Sequence, residues 1–238
     1  MKKLLFSVLL IITLVIGMIP TAIYAIEGET SVFSDMPKDW STAALENAVK
    51  NSLLLGCNGK IMPNDNLTRA QMAAIVNRAL GTTQKASLCS YTDVEKSAWY
   101  YDDMAKAVHM KIFKGSGNSK LNPENYITRE ETFVVLSRVF KLSGVNETVL
   151  DQFSDKDLVS SWAKEGTAAI VYAGYVVGSN GKINPKQNIT RAEFAKLMDN
   201  IIKNYIKTAG TYTTNLNGNV IINVPNVTLK DMTITGDL

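Results

Sequence analysis

Histidine and cysteine are almost missing from this chain: one His, His109, and two Cys, Cys57 and Cys89, in 238 residues. A catalytic dyad or triad built on imidazole, or a His-rich metal site, has little to draw on, and no catalytic residue, metal site or cofactor is assigned. Net charge is scarce too. Of 25 basic and 22 acidic residues, Lys2 and Lys3 lie at the extreme N-terminus, so from residue 26 onward the balance is 23 minus 22, or +1. No such field steers a chain to nucleic acid or anionic lipid, so any anion recognition must be local. A nucleotide phosphate loop is excluded as well, because Gly, four residues and Gly-Lys-Ser/Thr never occur in that order.

Long apolar runs are confined to one place. Lys2 and Lys3 precede the uncharged, mostly apolar stretch Leu4 to Ile19, followed by Pro20 and small residues up to Ala25. This is the layout of a secretory signal peptide over residues 1–25, an uncleaved membrane anchor being the alternative. It predicts a secreted, cell-surface protein, touching the membrane only through that segment during export. In oxidising surroundings Cys57 and Cys89 could bridge or stay free, and the spacing leaves both open. Asn-x-Ser/Thr sequons begin at Asn66, Asn146, Asn188 and Asn226; two merely overlap a Thr used below.

What the chain has in abundance is repetition. Trp40 to Gly56, Trp99 to Gly115 and Trp162 to Gly178 are each separated by 16 positions, and Pro63 to Thr68, Pro123 to Thr128 and Pro185 to Thr190 by 5. Between Gly and Pro the step is 7, 8 and 7, so the only slippage is one loop residue in the second copy. An aromatic-polar-Asp triplet precedes each Trp: Phe33-Ser34-Asp35, Tyr91-Thr92-Asp93 and Phe153-Ser154-Asp155. Spacing that is fixed within helices and drifts only in loops marks a tandem structural unit. Each unit of about 60 residues is marginal alone and comfortable when copies share a core.

Apolar periodicity makes each unit helix, loop, helix. The first helix carries Leu45, Ala48, Val49 and Leu53, then Met104, Ala107, Val108 and Ile112, then Ile170, Val171 and Tyr175, with Thr167 the weak point. The second carries Met72, Ala73, Ile75, Val76, Ala79 and Leu80, then Phe133, Val135, Leu136, Val139 and Phe140, then Phe194, Ala195, Leu197, Met198, Ile201 and Ile202. These stripes read as core. The second helix opens with Thr68-Arg69-Ala70-Gln71, Thr128-Arg129-Glu130-Glu131 and Thr190-Arg191-Ala192-Glu193, each a capping box. Arg sits poorly in a first turn that carries partial positive charge. The same misfit in three copies suggests that the arginines serve an anion, and that replacing them should leave stability unchanged or slightly raised.

The aromatic-x-Asp start, the Trp, the Gly turn, the Pro and the Thr-Arg-Ala-Glu box together resemble the S-layer homology domain, three copies over residues 33 to 203. The resemblance implies a mainly α fold in which three helix-loop-helix repeats form a pseudo-threefold bundle, monomeric, with grooves between neighbouring copies. It implies that the grooves bind secondary cell-wall polysaccharide attached to peptidoglycan, often through a pyruvate ketal on an amino sugar, and so fasten exported proteins to the wall. Carried over, the groove positions are Asp35, Gly56 and Arg69, then Asp93, Gly115 and Arg129, then Asp155, Gly178 and Arg191. Trp40, Trp99 and Trp162 could offer flat faces to a sugar, although a core anchor at the start of each first helix is the favoured reading. The aspartates read equally as sugar acceptors or as turn acceptors before the first helix, and Lys60, Lys120 and Lys182 as solvated loop lysines or ligand contacts. The chain departs from the pattern at Gln71, which still suits a capping box, and at Glu130, which could compete for Arg129 and weaken the second groove.

The organisation expected is therefore residues 1–25 signal peptide, 26–81, 90–142 and 150–205 the three repeats, and 211–238 a short β-rich segment. In that last segment Val220 to Ile222, Val227 to Leu229 and Met232 to Ile234 are short apolar beats separated by turns. Gly218-Asn219-Val220 and Gly236-Asp237-Leu238 read as successive starts of a parallel β-solenoid stopped in mid-pattern. Three functions remain: a non-catalytic wall-anchoring module, an S-layer lattice protein, or the anchoring part of a surface polysaccharide-acting enzyme.

Overall fold

The computed structural model describes residues 33–115 and 117–238; the segment read as a signal peptide lies outside the described residues. Helices come in pairs: α1 Thr42–Lys50 and α2 Arg69–Leu80, α3 Tyr101–His109 and α4 Arg129–Val139, α5 Lys164–Tyr172 and α6 Arg191–Ile201. Short 3-10 turns at Glu147–Gln152, Lys156–Leu158 and Ser161–Ala163 lead into α5. The described chain is mainly α.

The second helix of each pair starts where the box sits. Thr68, Thr128 and Thr190 accept the amides of Gln71, Glu131 and Glu193 at 3.2 to 3.3 Å, and donate their own amides back to those side chains at 2.9 to 3.1 Å. Each exchange satisfies two donors that a helix start leaves unpaired. The apolar stripes are buried as their spacing predicts, from Met72, Phe133 and Phe194 at one helix face to Leu45, Met104 and Ile170 at the other. Thr167 is fully buried and its hydroxyl has no partner, so the weak point of the pattern is a polar atom inside the core.

Packing runs from copy to copy. α2 lies on α3, α4 on α5, and α6 returns to α1. Where the three second loops meet, the Leu67 amide donates to Ile189 O, Ile189 to Ile127 O, and Ile127 to Leu67 O, at 2.9 to 3.0 Å. All three side chains are buried. A cycle of backbone bonds in such a site leaves no orphan that water would have to reach.

After α6 the chain forms β1 Asn204–Ile206, β2 Gly210–Tyr212, β3 Val220–Ile222 and β4 Val227–Leu229. β1 pairs with β3 and β2 with β4, both parallel, and Leu216 bridges Ile234 in the same sense. This is the stacked-coil pairing expected, but the ladder begins at Asn204, upstream of residue 211. The predicted starts do stack: Asp237 N–H donates to Asn219 Oδ1 at 3.0 Å, and a Cβ on Gly236 would run into the Gly218 backbone. Asn219 also donates to the Tyr175 hydroxyl and to Ile201 O, both at 2.9 Å, tying the coils to the end of α6.

Candidate functional site

The box arginines lie at the seams between copies, Arg69 and Arg191 buried and Arg129 partly so. Arg69 and Arg191 are each 7% exposed. Arg69 Nε donates to Leu121 O at 2.8 Å, Arg129 Nε to Ile183 O at 3.0 Å, and Arg191 Nε to Ile61 O at 2.7 Å. Each therefore grips the loop of the following copy, the third returning to the first. Arg69 and Arg129 also pair with the box carboxylate of that next copy, Glu131 at 2.9 Å and Glu193 at 2.8 Å. Their guanidinium groups lie 5.0 Å from the Phe113 ring and 5.4 Å from the Phe133 ring. Burial pulls the pKa of all three down, while neighbouring carboxylates pull it back up, first Glu131 for Arg69, Glu193 for Arg129 and Asp65 for Arg191. The expectation that these residues are dispensable for stability is thus corrected. A weak clash with the helix dipole is outweighed by charge-assisted bonds to buried carbonyls.

The amides at those helix starts are occupied too. Arg69 and Ala70 donate to Asn125 O and Pro123 O, Arg129 and Glu130 to Gln187 O and Pro185 O, Arg191 and Ala192 to Asp65 O and Pro63 O. With the third amide held by the box Thr, the helix start is already capped and offers little to an anion.

The aspartates hold the same loop peptides from the other side. Asp35 accepts the amides of Ile61 and Met62, Asp93 those of Leu121 and Asn122, Asp155 those of Ile183 and Asn184, at 2.7 to 3.0 Å. Ile61, Leu121 and Ile183 are thus held at N–H by their own copy's Asp and at C=O by the preceding copy's Arg. The aspartates do serve as turn acceptors, although the turn is the one before the second helix rather than the first. For Asp35, burial pushes the carboxyl up, but the two amides win and hold it below its ordinary 3.8.

The glycine and the aromatic of the repeat explain one another. A Cβ on Gly56 would collide with Phe33, and one on Gly178 would stand 2.7 Å from Phe153 Cε1 and 2.5 Å from Lys182 O. Only Gly178 of the three turn glycines has positive φ; Gly56 is required by close approach, and a Cβ on Gly115 would crowd Lys120 O and Tyr91 at 3.1 to 3.2 Å. Further left-handed positions begin two residues on, at Asn58-Gly59 and Asn180-Gly181, in hairpin turns closed by Cys57 with Lys60 and Ser179 with Lys182. Lys60, Lys120 and Lys182 are exposed. Cys57 and Cys89 are exposed free thiols.

The tryptophans overturn the core-anchor reading: Trp40, Trp99 and Trp162 are 59%, 65% and 56% exposed. Two of them face a box arginine across a cavity. One, of about 430 Å³, brings together Trp40, Arg129, Gly178, Asn184, Glu193 and Lys196. The other, of about 370 Å³, brings together Trp162, Arg69, Lys114, Gly115, Glu131 and Arg138. Each cavity draws Arg from one copy, loop and second helix from the next, and Trp from the remaining one.

Residues outside the repeat signature also line these grooves. Arg138 and Asn200 stand ten positions after the box Thr, as does Arg78 in copy one, and Lys196 six after it. That fixed offset could have found them. Glu130, expected to compete for Arg129, accepts instead from the Ser160 amide and hydroxyl and pairs with Lys186 at 2.6 Å. The competitor for Arg129 is Glu193 of the next copy. Among the described residues no cluster of three or more His, Cys, Asp or Glu could hold a metal ion, and no helix is long and apolar enough to cross a membrane.

The profile of the S-layer homology domain matches residues 32–73, 90–133 and 152–195. The Surface-layer 125 kDa protein of Lysinibacillus sphaericus is 32% identical over 69% of this chain and 14% of its own length. The S-layer protein of Bacillus licheniformis is 25% identical over 82% of this chain and 22% of its own, and the amylopullulanase of Thermoanaerobacterium thermosulfurigenes 27% over 76% and 10%. The chain thus spans less than a quarter of the length of these relatives, and the enzyme shares with it only a partial match. S-layer homology domains are binding and anchoring modules that hold cell-wall polysaccharide in general, and these likenesses make the chain a secreted protein of the cell surface. With three tandem matches covering more than half of its residues, this chain belongs to the S-layer homology domain family.

Proposed function

We propose that the three repeats form a monomeric pseudo-threefold bundle whose inter-copy grooves bind secondary cell-wall polysaccharide, a pyruvylated amino sugar polymer, without catalysis. The observation that carries this reading is an exposed Trp and a box Arg lining one cavity assembled from three copies, twice over. The cyclic packing of α2 on α3, α4 on α5 and α6 on α1 supports the bundle. An apolar sugar face stacks on the indole. A ketal carboxylate meets the outer edge of the guanidinium together with Lys114 and Arg138, or Lys196, while Asn184 and Asn200 take hydroxyls. Arg, Asp and Gly act mainly by holding the loop that shapes the groove, with Arg supplying the side chain among them that reaches the ligand and Gly178 and Gly115 lining the wall. Residues 26–205 are the anchoring unit, and the coils that follow α6 carry whatever is anchored.

The test is co-sedimentation with purified wall sacculi before and after the secondary polymer is stripped from the peptidoglycan. Binding to intact walls that disappears on stripping is the expected result; equal binding to both would refute the reading.

A further inference from the structure

The three seams are built to one plan with one exception. In copies two and three the box carboxylate serves two masters: Glu131 accepts the Thr128 amide on Oε2 and Arg69 on Oε1, and Glu193 accepts the Thr190 amide on Oε2 and Arg129 on Oε1. Copy one has Gln71 at that place. Its single side-chain oxygen accepts the Thr68 amide at 3.1 Å, which turns its Nε2, a donor, to where the other copies present an acceptor. Among the described residues Arg191 accordingly makes no ion pair. It spends Nη2 on Leu55 O at 2.9 Å, and Nη1 donates to no acceptor among the described residues.

A second cation shares this seam. Arg78 is near enough for its charge to depress Arg191, and it holds the position from which Arg138 lines the groove of Arg69. Its Nε is buried with no hydrogen-bond partner. Asp65 and Asp35 act on Arg191, and Asp103 on Arg78, through space, but none of the three forms an ion pair with either arginine. Asp103 is held by Asn77 Nδ2 at 2.9 Å, and Asp35 by the amides of Ile61 and Met62. Trp162 shares a cavity with Arg69 and Trp40 one with Arg129; the same copy-to-copy offset would assign Trp99 to Arg191.

We propose that the grooves are unequal and that the one closed by copies three and one, with Gln71 in place of the box acid and Arg78 beside Arg191, is the primary seat for the carboxylate of an anionic sugar. In the other two grooves an incoming carboxylate meets Glu131 or Glu193 already on the guanidinium and must share it against like charge. Here no carboxylate is bonded to the guanidinium: Arg191 Nη1 and Gln71 Nε2 are the donors it meets, while Asp65 and Asp35 act on Arg191 only through space. Gln71 is thus the residue that selects the groove. The inference rests on the wall-polysaccharide reading.

The experiment is calorimetric titration of the full chain with secondary polysaccharide released from purified walls, comparing wild type with Gln71→Glu, Glu131→Gln, Glu193→Gln and Trp99→Ala. Glu keeps the capping box, so Gln71→Glu should fold, pair with Arg191 and weaken binding roughly tenfold to a hundredfold, the range of one charge-assisted contact. The reverse changes at 131 and 193 should hold or raise affinity. Trp99→Ala, a change to an exposed side chain, should lose more than Trp40→Ala or Trp162→Ala. A wild type that ignores the polymer defeats the wall-binding reading itself. A wild type that binds, with affinity indifferent to Gln71→Glu and to Trp99→Ala, overturns the unequal grooves alone.

Discussion

The helical repeats and the β coils solve the same problem in opposite ways. Both are tandem units too small to bury their own apolar face. The helical copies close on themselves, so Leu67, Ile127 and Ile189 each give one bond and receive one, and every box Arg finds a loop to hold. The coils stack in one direction, with β1 on β3 and β2 on β4, so each added coil leaves an edge behind it. Closure makes stability collective, whereas stacking makes it a sum of neighbour terms.

Removing a copy breaks closure outright and is the largest effect expected. A chain lacking residues 90–142 should lose cooperative melting altogether, because Leu67 and Ile189 lose partners and α2 and α5 lose the helices they pack on; calorimetry reads this directly. Next come the seam arginines. Arg69→Ala and Arg129→Ala each remove a bond to a buried carbonyl and strand a half-buried carboxylate, at a cost of about 2 to 3 kcal/mol. Arg191→Ala strands no acid and should cost less, so denaturant titration of the three sharpens the contrast within the ring.

Asp35→Asn is expected to cost about 1 to 2 kcal/mol at neutral pH, since one of two amides loses its acceptor. The folded carboxyl lies below its ordinary 3.8, so its contribution is complete above that value and is lost as pH falls through the lower folded one. The difference between wild type and variant should therefore shrink in acid, and a gap independent of pH down to 2 would contradict the assignment. The smallest effect belongs to the stack. Asn219→Ala should cost about 1 kcal/mol and speed amide exchange across β3 and β4 while the main transition stays put.

Much of this was legible in the sequence because the repeat repeats its reasons. The capping boxes, the helix faces and the glycine turns all follow from local rules, and each was stated three times. The role of the arginines was not legible, because a first-turn cation looks misplaced until the loop carbonyl of another copy is brought against it. The partners are Arg69 with Leu121 and Arg191 with Ile61, far apart in the chain. The tryptophans misled in the opposite sense. An aromatic at the start of an amphipathic helix ordinarily points inward, and only the assembled groove leaves Trp40 and Trp162 facing an arginine across open space. Gln71 looked harmless because its local duty, the cap, is met equally by Gln or Glu; the change shows only at the seam.

The closed cycle of Leu67, Ile127 and Ile189 also sets a clock. The Leu67 amide waits for an oxygen 122 positions later in the chain, and α1 waits for α6 in the same way. Folding rates fall as native contacts become more distant along the sequence. A chain that crosses a membrane N-terminus first thus holds an unclosed ring through nearly the whole of copy three, and snaps to its final resistance only after Ile201 has emerged. Proteolysis of chains stalled before and after that residue should show protection arriving in one step, and a gradual rise copy by copy would count against it.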